Sequence, residues 1–164
     1  MGGLVFIDTQ AVQVNEHTRA GKEEAKALAI QAAKCLYDGK GTDVVILDVG
    51  DITLIADFFV IASGSNPRHV QALADRVVYS EDIPKKPMHV EGYGLGFWVL
   101  LDYGDVIVHV FRDEEREFYG LERLWGDAPQ VEFQAGQMSP ADVGRQLGPS
   151  SIEVQEEERS DDPD

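Results

Sequence analysis

Two β-rich runs separated by a short turn constrain the fold of this chain more than any other stretch. Residues 97–102 and 106–111 consist largely of valine, isoleucine, leucine and aromatic residues, and Tyr103-Gly104-Asp105 lies between them. Two such runs on either side of a Gly/Asp turn are typical of a β-hairpin. The sequence therefore predicts antiparallel strands at 97–102 and 106–111.

The segments before and after this hairpin predict three more strands and three helices. Helical spacing of apolar residues and cap signals predict helices over 22–37, after Asn66-Pro67 and over 112–125. Compact runs of β-formers predict strands over 43–49, 58–62 and 88–91. The order α-β-β-α-β-β-β-α indicates an α/β fold, a mixed five-stranded sheet flanked by helices.

The 164 residues suffice for one domain, and composition suggests its limits. Residues 1–20 show no sustained period and are expected to form a flexible leader. Residues 21–127 carry the predicted elements. Residues 128–164 are dominated by Gly, Pro, Ser, Gln and acids, which predicts a disordered acidic tail.

The net charge of −16 limits the possible partners. Phosphate backbones repel so acidic a protein, so we expect no direct sequence-specific contact with nucleic acid, although a basic protein of a nucleoprotein particle is a suitable partner. No segment has the ~20 apolar residues of a membrane span, and no secretory signal is evident. The single cysteine, Cys35, is expected to be a small buried residue, and a cytoplasmic location is expected.

One turn resembles a phosphate-binding element. Ser63-Gly64-Ser65 follows a buried strand and opens a helix, as in the nucleotidyltransferase fold. That chemistry needs paired carboxylates on an adjacent strand to hold metal ions. The next strand ends in a lone Asp102, so a structural turn is favoured over a nucleotide-binding transferase.

The histidines predict neither a metal site nor a catalytic triad. None of the four has the i, i+2 or i, i+4 spacing of a ligand pair: His17, His69, His89 and His109. Ser63, His69 and Asp75 have the residue types of a triad, but nothing in the sequence orients them. His109 shares a strand face with Ile107 and Phe111, which favours a satisfied, partly buried histidine. We expect no metal and no cofactor.

Alternation along strand 97–102 suggests a docking surface. Phe97, Val99 and Leu101 form a wholly apolar set that suits the core, which leaves Trp98, Leu100 and Asp102 on the other face and Tyr103 at the turn. Exposed Trp, Leu and Tyr flanked by acids are typical of a protein-binding hot spot. Alternatively, the last helix simply covers Trp98, and the sequence leaves both open.

Over residues 22–127 the chain resembles the ribosomal silencing factor family, also called Iojap or RsfS. The most specific stretches are Trp98-Val-Leu-Leu-Asp-Tyr-Gly-Asp-Val106 with Val108-His-Val-Phe111, then Arg116, Phe118-Tyr119 and Leu121-Glu-Arg-Leu-Trp125. Further matches are Asp48-Val49, Ala56–Val70, Ala72–Asp75 and Glu91-Gly92.

The resemblance implies a non-enzymatic translational repressor with a nucleotidyltransferase-like fold that lacks the catalytic acids. Such a protein binds the large ribosomal subunit through its ribosomal protein number fourteen and blocks association with the small subunit under nutrient limitation. A homodimer is also implied, and a large-subunit assembly factor is the alternative. The partner-binding residues expected by position are Trp98, Leu100, Asp102, Tyr103, Asp105, Arg116 and Tyr119.

Two departures from the family pattern stand out. The connection Tyr79–Pro87 is shorter than usual, which predicts a remodelled edge. His69 stands where glutamine is common, which leaves the role of that side chain open.

Overall fold

A computed structural model describes the backbone of residues 3–134 and the side chains of residues 20–134. Met1–Phe133 form one compact unit. Its helices are α1 (Gly3–Asp38), α2 (Pro67–Val78), α3 (Asp113–Tyr119) and α4 (Leu121–Leu124). Its strands are β1 (Thr42–Asp48), β2 (Phe58–Gly64), β3 (His89–Glu91), β4 (Trp98–Asp102) and β5 (Val106–Arg112).

The five strands form one mixed sheet in the order β1-β2-β5-β4-β3. Only β2 and β5 run parallel; the β1–β2, β5–β4 and β4–β3 pairs are antiparallel. All seven residues of β2 are buried, as expected for a strand between two neighbours with both faces covered. The predicted α/β class, the five-stranded sheet and the hairpin are confirmed.

Helices α1 and α2 cover one face of the sheet and form the larger core with it. From α1, the buried residues follow helical spacing: Ala25, Leu28, Ala29, Ala32, Ala33 and Leu36. Small alanines let this helix lie close to the strands. Helix α2 begins where Asn66 accepts a hydrogen bond from the His69 N–H at 2.9 Å, and Pro67 occupies the first turn.

Helices α3 and α4 lie against part of the opposite face. The sequence predicts one helix over 112–125, but the structure has two, because Gly120 adopts the left-handed conformation with φ 55°. The turn brings Leu121 and Trp125 onto a second core that includes Leu47, Val49, Phe59, Ile61 and Phe111. This second core is smaller and leaves the β4–β3 side of the face uncovered.

Described structure continues on both sides of residues 21–127. Helix α1 begins at Gly3 and runs through most of the expected leader, whereas the sequence placed its start at Lys22. At the other end, residues 129–131 lie along β1, where the Asp48 N–H donates to the Pro129 carbonyl and the Val131 N–H to the Ile46 carbonyl. Val131 and Phe133 pack on the larger core, and Ala128 belongs to the second core. Residues 135–164 of the expected tail lie outside the described residues.

Candidate docking face of the sheet

The two faces of β4 carry different residues, as the alternation predicts. Val99 and Leu101 are fully buried under the helices, while Trp98, Leu100 and Asp102 lie on the opposite face and are half-buried. In the register with β5, Trp98 is paired with Phe111, Leu100 with His109 and Asp102 with Ile107. Phe97 departs from the pattern, because it precedes the strand, is 36% exposed and packs under the Arg112 guanidinium.

The uncovered part of this face forms a surface that we call the open face. It consists of Trp98, Leu100 and Asp102 of β4, Ile107 of β5 and the neighbouring β3. On β3, His89 is paired with Asp102 and Glu91 with Leu100, and both side chains are exposed. The open face is therefore an apolar strip bordered by charged groups, with α3 at its side.

Trp98 is held in an aromatic cluster at the border of the open face. Its ring stacks on Phe111 with 4.8 Å between centroids, and Tyr119 of α3 lies 4.7 Å from it. Its indole N–H donates a hydrogen bond to His109 Nδ1 at 3.1 Å. Helix α3 thus covers Trp98 in part and leaves it half-buried, and Tyr119 of this helix is 50% exposed.

Tyr103 does not lie on the open face, and the expectation that it is exposed at the turn is wrong. Its side chain is 1% exposed and belongs to the helix-side core. The Tyr103 N–H donates to the Val106 carbonyl, so the strand alternation continues one residue past Asp102 and places Tyr103 on the side of Val99 and Leu101. Burial raises the pKa of its hydroxyl to about 12.

The two aspartates of the hairpin have different positions. Asp102 lies on the open face, and its carboxylate accepts a hydrogen bond from the Gly104 N–H at 2.7 Å, which fixes the turn. Asp105 lies at the end of the sheet, where its side chain is exposed. Its carbonyl accepts hydrogen bonds from the N–H groups of Asp57 and Phe58. Asp105 lines a cavity together with Gly21 and Glu24 of α1, so it lies at the end of the sheet and not on the open face.

Arg116 ties α3 to the sheet. Its guanidinium donates to Ser63 Oγ at 3.0 Å and to the Asp43 carbonyl at 2.6 Å, and it is paired with Glu122. Only 12% of the side chain is exposed. These bonds give Arg116 a structural role in holding the helix that carries Tyr119. The sequence missed this role, because Ser63 and Asp43 lie more than fifty residues earlier in the chain.

The turn between β2 and α2 already uses several of the donors that a phosphate would need. The Ser65 N–H donates to His69 Nδ1 at 3.0 Å, and the N–H groups of His69 and Val70 bond to Asn66. His69 Nε2 donates in turn to the Gly39 carbonyl at 3.0 Å. His69 thus joins the end of α1 to the start of α2, which is the role that the sequence left open. The occupied donors favour the structural interpretation of this turn.

The charges of the described part of the chain are unevenly distributed. All six lysines of the sequence lie within residues 22–86, which form the helix layer, β1 and β2. Residues 88–127, which carry the open face, α3 and α4, hold nine acids against the three arginines Arg112, Arg116 and Arg123: Glu91, Asp102, Asp105, Asp113, Glu114, Glu115, Glu117, Glu122 and Asp127. The segment that carries the open face, α3 and α4 is therefore strongly acidic.

Among the described residues, no group of three or more His, Cys, Asp or Glu side chains is arranged to hold a metal ion. Within the same part of the chain, no helix is long and apolar enough to cross a membrane.

The sequence and the fold are similar to those of known proteins. Residues 22–161 match the family model described as ribosomal silencing factor during starvation. Ribosomal silencing factor RsfS of Halalkalibacterium halodurans is 45% identical over 115 residues, which cover 68% of this chain and 94% of that protein. RsfS of Bacillus subtilis is 44% identical over 112 residues, which cover 66% of this chain and 92% of that protein. Protein Iojap, chloroplastic, of Arabidopsis thaliana is 33% identical over 67% of this chain and 46% of its own length.

Two solved structures have the same fold. A crystal structure of a protein from Chromobacterium violaceum has a TM-score of 0.57 and 36% identity, over 72% of this chain and 96% of that one. A second crystal structure, of a protein from Bacillus halodurans, has a TM-score of 0.55 and 39% identity, over 68% of this chain and 99% of that one. The family match extends across the hairpin, the open face and α3 alike. The chain belongs to the ribosomal silencing factor family.

Proposed function

We propose that this protein is a translational repressor that binds the large ribosomal subunit through its ribosomal protein number fourteen. Bound there, it blocks association with the small subunit and lowers translation under nutrient limitation, in the cytoplasm. The observation that carries the proposal is the open face itself. It is a partly apolar sheet surface with a hydrogen-bonded tryptophan at its border, and it lies in the acidic segment of a chain that belongs to the silencing factor family.

The chemistry of the open face suits a basic protein partner. Trp98, Leu100 and Ile107 supply apolar area that a partner can bury, and tryptophan and tyrosine are enriched among residues that dominate binding energy. The surrounding acids, including Asp102 and Glu91, attract a basic surface and repel bare RNA. The partner is therefore expected to be a protein of the subunit and not exposed ribosomal RNA.

The predicted contact residues contribute in different ways to this proposal. Trp98, Leu100, Asp102 and Tyr119 have surface on or beside the open face and are proposed to touch the partner. Asp105 is exposed at the end of the sheet and is proposed to steer the partner. Arg116 is proposed to act indirectly through α3.

The proposed mechanism needs only occupancy. A chain of 18.1 kDa that covers a surface needed by the small subunit prevents joining if its affinity competes at cellular concentrations. Because Glu91 is exposed and Asp102 is partly exposed, association should be faster at low ionic strength. An association rate unchanged by salt would contradict the steering role of these acids.

Sucrose-gradient sedimentation of purified subunits with added protein tests the proposal. We expect the protein to cosediment with large subunits and to reduce the fraction of joined ribosomes. Complete joining at saturating protein would refute the repressor function. Binding to immature particles without an effect on joining would favour an assembly factor. A thermal-shift scan with nucleotides and Mg²⁺ tests the transferase alternative, which requires clear stabilisation.

The proposed homodimer is tested separately. Size-exclusion chromatography with light scattering should give twice the chain mass of 18.1 kDa at micromolar concentration. A mass of one chain at all concentrations would remove the dimer from the proposal.

A further inference from the structure

A histidine lies directly beneath the open face. His109 is on β5, is paired with Leu100 of β4, and is 5% exposed. Three aromatic rings surround it: Phe59 at 5.1 Å, Trp98 at 5.9 Å and Phe111 at 6.1 Å between centroids. A polar ring at the centre of an apolar cluster requires an explanation, because burial of a polar group is costly unless it is hydrogen-bonded.

The hydrogen bond from Trp98 determines the tautomer of His109. The indole N–H is a donor only, so His109 Nδ1 must be the acceptor and carries no proton. In the neutral ring the proton is then on Nε2. Nε2 is buried and has no hydrogen-bond partner among the described residues. The ring is thus hydrogen-bonded on the side of Trp98 alone and is buried, which differs from the satisfied, partly buried histidine that the sequence favoured.

The unpaired Nε2 costs stability in the core. A phenylalanine would leave no buried, unpaired N–H, although its ring is larger than an imidazole. What a phenylalanine would lack is the acceptor for Trp98. The hydrogen bond to the indole is therefore the property of His109 that an apolar ring cannot replace.

We infer that His109 is a positioning residue, which holds the Trp98 indole in the orientation that presents the open face to its partner. Trp98 is half-buried and lies between Phe111 and Tyr119, so stacking fixes the plane of its ring but not the direction of its N–H edge. The bond to His109 Nδ1 fixes that direction. A fixed side chain loses less rotational freedom when the partner binds, which favours affinity. The effect on affinity rests on the proposed function, whereas the geometry does not.

The geometry is tested by NMR on the full chain. We expect a through-hydrogen-bond ¹⁵N–¹⁵N coupling between Trp98 Nε1 and His109 Nδ1, with the indole signals assigned by the Trp125→Phe variant. The coupling must be absent in His109→Phe, because phenylalanine has no ring nitrogen, and the Trp98 indole N–H should then exchange faster with solvent. In His109→Asn, whose side-chain oxygen is close to the Nδ1 position, the slow exchange should return. Absence of the coupling in the wild type would overturn the inference.

The functional part is tested by affinity for purified large subunits together with the melting temperature. We expect His109→Phe to melt near the wild-type temperature, because the loss of an unpaired N–H and the larger ring have opposite effects. We expect it to bind about twofold to tenfold more weakly, which is the cost of immobilising one more side chain on binding. Equal affinity of His109→Phe and the wild type would overturn the positioning role.

If His109→Phe does not fold, the nearly isosteric pair His109→Asn and His109→Leu replaces it. The inference then requires His109→Leu to bind large subunits more weakly than His109→Asn, and equal affinities of the two variants would overturn it. If the wild type itself does not bind large subunits, the proposed function fails, and the coupling and indole exchange still decide the geometry.

Discussion

Acidification should destabilise this protein through His109. Burial lowers the pKa of this histidine from its usual 6.5 to about 4 in the folded state. In the unfolded chain the ring is solvated and its pKa returns to the usual value. Below pH 6.5 the unfolded state therefore binds a proton that the folded state does not, and the free energy of unfolding falls as the pH is lowered towards 4.

The size of the effect follows from the two pKa values. A difference of this size corresponds to about 3 kcal/mol when it is complete, and about 2 kcal/mol of it is lost between pH 7 and pH 5. That is a large fraction of the 5–15 kcal/mol that is typical of a whole domain. The protonated ring would also turn Nδ1 into a donor that faces the donor N–H of Trp98, so protonation and the Trp98 hydrogen bond exclude each other.

Urea denaturation at pH 7, 6 and 5 measures this effect, with His109→Phe as the reference. Every other titrating group is present in both chains, so subtraction of the two pH profiles leaves the contribution of His109. We expect the wild type to lose about 2 kcal/mol more than the variant between pH 7 and pH 5. His89→Phe, at an exposed histidine of β3, is the matched control for the same change at the surface. Identical profiles for the wild type and His109→Phe would refute the reasoning.

Three substitutions test the other structural assignments. Tyr103→Phe removes a buried hydroxyl that has no partner among the described residues, so it should raise the free energy of unfolding by about 1 kcal/mol in urea denaturation; a loss of stability would contradict the assignment. Arg116→Ala should cost about 2–3 kcal/mol in the same assay, because Ser63 and the Asp43 carbonyl lose a charged donor, while the exposed Arg123→Ala should change little. Equal effects of the two arginine changes would remove the structural role of Arg116. Gly92→Ala should lower the melting temperature markedly, because Gly92 has φ +79° and a Cβ there would lie 2.0 Å from the Trp98 carbonyl oxygen; an unchanged temperature would contradict the loop geometry.

The sheet could be predicted from the sequence because its signals are local. The strands of the hairpin alternate or are apolar throughout, and Asn66-Pro67 marks the start of α2. The same alternation correctly separates Trp98 from Val99. The same alternation, extended by one residue, places Tyr103 in the core. The composition of Tyr103-Gly104-Asp105 indicated a turn instead, because residue types do not reveal the hydrogen bond from the Tyr103 N–H to the Val106 carbonyl.

Other features of the site depend on contacts between distant parts of the chain, which no local pattern records. Arg116 has the appearance of an exposed helical arginine, and only the fold brings Ser63 and Asp43 to it. The bond between Trp98 and His109 requires the β4–β5 register, which the sequence does not specify. The packing of residues 129–131 along β1 likewise depends on where α4 ends. The boundaries at residues 20 and 127, the disorder of the tail and the nucleotidyltransferase likeness stay predictions.

The central claim is that the open face binds the large ribosomal subunit, and the affinity of a Leu100→Ser variant tests it most directly. Leu100 is half-buried at the centre of the open face, so the change removes partner contact area with little effect on the core. Tyr79→Ser is the matched control, since Tyr79 is 73% exposed at the end of α2, in the layer on the opposite side of the sheet. With fluorescently labelled protein and purified large subunits, we expect Leu100→Ser to bind at least about tenfold more weakly, as for a residue at an interface centre, and Tyr79→Ser to bind like the wild type. Wild-type affinity of a folded Leu100→Ser variant would contradict the account.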